Sequence, residues 1–93
     1  MESRDRILLA VKKIPRGYVC TYGAIASKAK TSPRAVGAVM RANRDPTVPC
    51  HRVVCSNASI GGFNRGIKTK IKLLKSEGIV IKDGYVSGKH FLL

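Results

Sequence analysis

TYGAIASKAKTSPRAVGAVMRA, residues 21–42, decides how the fold is read. Thr21 stands where it can N-cap a helix from Tyr22 to about Lys30, its hydroxyl accepting from an N–H that the first turn leaves unpaired. Ala24, Ile25, Ala26 and Ala29 give that helix a side of small residues suited to close packing. Thr31-Ser32 breaks it. Ser32 then caps a further helix, Pro33 to about Ala42, with proline at the first helical position, where its fixed φ fits. Two short helices joined by a tight turn, with small residues between them, predict a helix-turn-helix whose second member is the recognition helix. An ordinary αα-hairpin in a small core is the alternative. Gly37 lowers helix propensity, so something must need its missing side chain: close helix packing, or close approach of a DNA backbone.

Upstream, Ser3 to Lys13 predicts a helix, with Ser3 as N-cap and Glu2 and Asp5 at its positive end. Ile7, Leu8, Val11 and Ile14 form its apolar face. Pro15-Arg16-Gly17 ends it in a turn, and Tyr18-Val19-Cys20 is extended. Downstream, Asn43 to Pro46 is a turn. Val53-Val54-Cys55 is strand-like, Ser56 to Ser59 a loop, and Ile60 to Gly66 a glycine-rich segment suited to a lid or wing. Lys68 to Ser76 predicts a last helix, with Ile67, Ile71 and Leu74 on one face and lysines on the other; Gly78 stops it. Ile79 to Val86 reads as a hairpin turning at Asp83-Gly84. Phe91, Leu92 and Leu93 are expected to pack back. The fold class is therefore α+β, mostly helical: a winged helix-turn-helix-like domain with a small C-terminal β element. Residues 1–93 are read as one domain.

Eighteen lysines and arginines against five acids give a net charge of +13. No acid stands between Arg6 and Arg44, or between Pro46 and Ser76. Such a balance points to a polyanion, and nucleic acid is the expected partner. A basic surface without a ligand is the bland reading. No apolar run reaches the ~18 residues of a membrane span, and the charged N-terminus is not a signal peptide. Three cysteines without framework spacing argue for reduced thiols, hence an intracellular (cytoplasmic, nucleoid-associated) protein. Without CxxC spacing a zinc site is not expected, and the glycine-rich segment lacks the GxxxxGK[ST] pattern of a phosphate-binding loop.

The chemistry-bearing stretch is Pro49-Cys50-His51-Arg52-Val53. A thiol attacks as thiolate, and a nearby imidazole or cation favours that form. Proline stiffens the approach. Adjacent side chains diverge, so His51 need not touch the sulfur. A buried structural cysteine beside a surface histidine is the alternative for this pair alone.

Taken together, residues 14–23 (IPRGYVCTYG), Pro33 to Gly37, Asn43, Pro49 to Val53, Gly61 to Gly66 and Lys70 to Gly78 resemble the C-terminal, DNA-binding and active-site domain of the O6-alkylguanine-DNA alkyltransferases. The resemblance implies a DNA repair protein that moves an alkyl group from O6 of guanine to its own cysteine, Cys50, once per molecule. It assigns His51 as a base acting through a water and Glu77 as the carboxylate that orients it, the logic of a hydrolase triad. Tyr22 would crowd the phosphate and protonate the leaving guanine, and Arg34 would fill the gap left by a flipped nucleotide. Thr21, Ala35, Gly37 and Arg41 would meet DNA in the minor groove, small residues permitting close approach. Asn43 would tie the recognition helix to the active-site loop. Val53 and Cys50 (through their carbonyls), with Phe63 and Asn64, would line the guanine pocket.

Two positions depart from the family pattern: Phe63 replaces its lid tyrosine and Asn64 a frequent serine, which removes a hydroxyl near O6. The family's N-terminal domain is not expected here. The resemblance implies a monomer that needs no metal or cofactor and binds double-stranded DNA containing O6-alkylguanine. Alkyltransferase-like proteins share this short domain but carry tryptophan for the cysteine; they bind the lesion without transfer, and they form the alternative. A basic DNA-coating protein without damage selectivity is a third.

Overall fold

The chain's structure, a computed structural model, describes residues 1–92. Helix α1 spans Ser3–Lys12 and buries Ile7 and Val11, with Ile14 just beyond its end and Leu8 packed alongside. Ser3 is its first helical residue, not its cap; Glu2 holds the N-cap position and makes no side-chain bond there. Strand β1, Cys20–Thr21, leads directly into α2, Tyr22–Ala29. The Thr21 hydroxyl accepts from the Ala24 N–H at 3.0 Å. Lys30 then turns into the left-handed region, φ 57°, which stops the helix. Helix α3, Pro33–Ala42, starts as read, with Ser32 accepting from Ala35 N–H at 3.1 Å.

Helices α1, α2 and α3 share one core, in which Ile25, Ala26 and Ala29 meet Val36 and Met40. Ala24 is exposed, so the small-residue side of α2 is narrower than its composition suggests. Arg6 Nε reaches the Ala29 carbonyl at 2.8 Å and ties α1 to the end of α2. After α3 the chain folds into a 3-10 turn, Cys50–Arg52, and strand β2, Val53–Val54, which pairs in parallel with β1 (Cys20 opposite Val53, Thr21 opposite Val54). Cys55 leaves the ladder; its N–H goes to Ser59.

Helix α4, Ile67–Ser76, buries Leu74 against a second core of Val19, Val54, Ile60, Ile79 and Val86. Its orientation differs from the amphipathic expectation. Ile67 is 51% exposed, and Lys70 is 0% exposed. The helix is rotated so that the 70/74 pair, one turn apart, faces inward. Strands β3 (Ile81–Lys82) and β4 (Tyr85–Val86) form the expected hairpin, with Asp83 and Gly84 both at positive φ. The tail folds back as expected: Phe91 bridges Val19, and Leu92 N–H donates to the Val19 carbonyl at 3.0 Å. Leu93 lies outside the described residues. Among the described residues, four helices and two small ladders make the α+β, mostly helical class. Among the described residues no helix is long and apolar enough to cross a membrane.

Candidate active site

Cys50 opens the 3-10 turn. Its N–H bonds the Val48 carbonyl at 2.8 Å, its carbonyl accepts from Val53 N–H, and β2 follows at once. The sulfur is thereby fixed from both sides along the chain. A third restraint comes from Asn43, the C-cap of α3. Its Nδ2 donates to Cys50 Sγ at 2.9 Å and to the Asp45 carbonyl at 3.1 Å. The Asn43 carbonyl in turn accepts from Asn64 Nδ2 at 2.9 Å. One residue thus joins α3, the thiol and the glycine-rich segment. Burial raises the Cys50 pKa; the Asn43 amide, and at longer range Arg65 and Lys70, work against that rise. The group rests as a thiol and needs a base.

His51 and Cys50 make no hydrogen bond to each other among the described residues. The imidazole turns the other way, Nε2 lying 3.0 Å from Glu77 Oε2. Glu77 also receives both prongs of Arg52: Nε to Oε1 at 2.9 Å and Nη2 to Oε2 at 2.7 Å. Arg52 Nη1 continues to the Ile14 carbonyl at 2.8 Å. A carboxylate at a helix C-terminus opposes the helix dipole, and the forked guanidinium offsets that. Burial pushes the Glu77 carboxyl up, but Arg52 and His51 outweigh it and leave the pKa below its ordinary value. Since an ionised carboxylate only accepts, His51 Nε2 carries the proton and Nδ1 keeps a lone pair. Burial holds the His51 pKa below its usual value despite Glu77, so the ring is neutral near pH 7 and competent as a base.

Above the sulfur lies a cleft of about 690 Å³. Tyr22 forms one wall, Gly37 and Met40 of α3 another, Gly62, Phe63 and Asn64 a third, and Arg34 and Arg41 also line it. Burial, then the two thiols Cys55 and Cys50, raise the Tyr22 phenol pKa, so it remains a proton donor. The cleft brings together Cys50, Tyr22, Arg34, Gly37, Arg41, Phe63 and Asn64. Thr21, Ala35 and Val53 do not line it. Thr21 caps α2, Ala35 packs against the core, and Val53 is fully buried.

The 6-O-methylguanine DNA methyltransferase, DNA binding domain, family model matches residues 2–79. The chain belongs to the 6-O-methylguanine DNA methyltransferase family. It is 49% identical over 80 residues to the methylated-DNA–protein-cysteine methyltransferase of Pyrobaculum aerophilum, covering 85% of this chain and 54% of that protein. A second such relative, from Methanothermobacter thermautotrophicus, is 40% identical over 82 residues, covering 87% of this chain and 47% of that protein. The chain thus spans about half the length of the curated relatives it matches. Among solved structures it resembles the O6-methylguanine-DNA methyltransferase of Pyrococcus kodakaraensis, with TM-score 0.78, 42% identity and coverage of 85% and 47%. It also resembles S. pombe Atl1 in complex with damaged DNA containing O6-carboxymethylguanine, with TM-score 0.84, 28% identity and coverage of 98% and 94%.

Two residues of this methyltransferase-family site escaped the sequence reading. Arg52 was only part of a motif, yet it fixes Glu77. Lys70 was assigned to a solvated lysine face, yet its ammonium is buried between the Val53 carbonyl, at 2.8 Å, and the Gly62 carbonyl, at 3.1 Å. It links the strand after the thiol to the glycine-rich segment. Burial pulls its pKa down to about 8, against the smaller opposing pull of Cys55 and Cys50. The available signal was positional: Lys70 stands one turn before Leu74, the helix's fully buried leucine. Gly61 is part of the same junction. Its φ is +74°, and an added Cβ would sit 3.0 Å from Cys55 Sγ.

Proposed function

We propose that this chain repairs O6-alkylguanine in double-stranded DNA by taking the alkyl group onto Cys50 in a single-turnover reaction. The observation that carries the reading is the sulfur of Cys50 at the cleft, held at 2.9 Å by Asn43, with the His51–Glu77 pair at 3.0 Å on the next residue of the same turn. His51 Nδ1 takes the thiol proton through a bridging water, and Glu77 stabilises the imidazolium that forms. The thiolate attacks the sp³ carbon in line with O6. The S–C bond forms as the C–O6 bond breaks, and Tyr22 gives a proton to the departing guanine. Nothing in this sequence regenerates the thiol, and the nucleophile, base and acid are all side chains, so no metal or cofactor takes part.

The target base has to leave the duplex to reach Cys50. Arg34, at the cleft, enters the space the nucleotide vacates. Helix α3 lies in the minor groove as a monomer's contact, with Thr21, Ala35 and Arg41 along the same approach. Gly37 supports that placement. An added Cβ there would meet nothing in the protein closer than Arg41 Nη1, a flexible tip 3.4 Å away. Internal packing therefore does not require the glycine, which fits a role in the close approach of α3 to DNA. Phe63 stacks on the flipped base, and Asn64, bonded to the Asn43 carbonyl, sets the pocket's edge. Val53 contributes only through its backbone, and its carbonyl already accepts from Lys70.

A second reading has its own support: the match to S. pombe Atl1 runs over nearly the whole of both chains. On that reading the chain recognises alkylated guanine without transfer. Intact-protein mass after incubation with an O6-methylguanine duplex separates the two. A gain of one methylene, mapped to the peptide bearing Cys50 and absent in Cys50→Ser, is the expected result. Tight, lesion-selective binding with no mass gain would overturn transfer in favour of recognition.

A further inference from the structure

Helix α4 carries its charges where a helix built only for its own stability would not. Lys68, Lys72 and Lys75 are all exposed and stand one turn apart, so they form a stripe of neighbouring like charges. Each such pair destabilises the helix. Lys68 lies in the first turn, where the helix dipole favours an acid; no acid stands there, and Gly66 caps the helix without a side-chain bond. Helix α1 shows the opposite arrangement, Asp5 in its first turn and Lys12 in its last. Nothing inside the protein offsets the stripe. Among the described residues none of the three lysines forms an ion pair, and Glu77, the acid at the helix end, is taken by Arg52 and His51. Arg16 adds a further cation at that end, its Nη2 donating to the Ser76 carbonyl at 2.8 Å.

The stripe faces away from the cleft. Lys70 points from α4 to the Val53 and Gly62 carbonyls, and Gly62 is part of the cleft wall. At about 100° per residue, Lys68 and Lys72 lie about 160° around the helix from Lys70, and Lys75 about 140°. No α4 residue lines the cleft. A duplex laid on α3 over the cleft therefore does not reach these lysines. Lys68 to Lys75 covers about 10 Å of helix axis, over which one DNA strand presents about three phosphates. The stripe is a row of ammonium point charges with no aromatic side chain among them, which reads charge density and not base sequence.

We propose that the α4 stripe is a second DNA-contact surface, which holds the phosphate backbone of another duplex segment while α3 occupies the first. The inference rests on the reading above that α3 carries the DNA. Two such faces let the protein join two segments and pass from one to the other without entering free solution. Attraction of the second segment to the three lysines offsets the repulsion that the free helix bears.

The test is a bridging assay with undamaged duplexes. One duplex is fixed to beads, protein is added in equimolar amount, and retention of a second, fluorescent duplex is measured. The wild type should retain it. Lys68→Gln/Lys72→Gln/Lys75→Gln removes the charges at exposed positions and keeps good helix formers; it should lower retention about tenfold. Its affinity for a single short duplex, read by anisotropy, should stay within about twofold at moderate salt, where distant charges are screened. No retention by the wild type, with single-duplex affinity intact in the triple variant, would overturn the second surface and leave α3 in place. Retention unchanged in the triple variant would overturn it too. Loss of single-duplex binding in the triple variant would put the first duplex on α4 and overturn both readings. Methyl transfer to Cys50, read by mass on the same preparations, tests repair separately: its absence with bridging intact would overturn transfer and leave the second surface standing.

Discussion

Lys70 is the residue at which pattern and structure disagree most. The adjacent thiol and imidazole of Cys50 and His51 stood out in the sequence, whereas Glu77, 26 residues beyond His51, entered the reading only through the family resemblance. A lysine in an amphipathic helix is common, and periodicity assigns it to water. What overrides the pattern is a demand visible only in three dimensions: two carbonyls, of Val53 and Gly62, converge where α4 passes, and each needs a donor. Meeting that demand with an ammonium has a cost that depends on pH. The unfolded chain holds the Lys70 proton up to about pH 10.5, while the folded chain releases it at about 8. Between those values the unfolded state binds more protons, so the Lys70 contribution to stability rises with pH. Below about pH 8 the burial penalty is fully present. Cys20, Cys50 and Tyr22, whose pKa values are raised, act in the opposite sense in any variant that keeps them. The informative quantity is therefore a difference. In urea unfolding, the stability of the wild type relative to Lys70→Met should grow by about 3 kcal/mol across that window. A difference that is flat with pH would mean Lys70 is not buried as a charged group.

At the scale of elements, legibility follows the range of the signal. The starts of α2 and α3 were readable to the residue because Thr21 and Ser32 act on N–H groups three positions away. The α1 start was misread because Ser3 offered the same chemistry one residue too late for the backbone. The β1–β2 pairing was not readable at all, since its two-residue strands are joined across both helices of the helix-turn-helix. The α3 glycine was legible as an anomaly but ambiguous as to cause, and the structure leaves room for a methyl group beside Arg41. That gives Gly37→Ala a signature of opposed signs. Alanine in place of a mid-helix glycine should stabilise the free protein by about 0.5–1 kcal/mol. On the proposed interface the same methyl keeps α3 from its closest approach to DNA, and affinity should fall severalfold. Thermal unfolding and anisotropy on one preparation read both quantities. A variant that is more stable and binds DNA unchanged would remove α3 from the interface.

For the molecule as a whole, charge decides. Of the five acids, Glu77 is bound by Arg52 and His51, and Asp45 is engaged by Thr47. The remaining three, Glu2, Asp5 and Asp83, stand near the ends of the chain. Arg34 and Arg41 line the cleft with no acid among its walls. A net charge of +13 on a domain of this size repels itself, and salt relieves the repulsion. The same salt competes with phosphate neutralisation. If about six of the eighteen cations meet phosphates, log Kd should rise against log salt with a slope of about five. Added salt is therefore expected to raise the melting temperature while weakening DNA binding. Lesion and undamaged duplexes share their phosphate contacts, so both affinities should fall together. Their ratio, set by the cleft around Cys50, should stay level. Competition titrations across a salt series measure the slope and the ratio at once. A steep slope with a ratio of one at every salt concentration would mean that charge alone holds the DNA, and the cleft would then play no part in choosing where the protein binds.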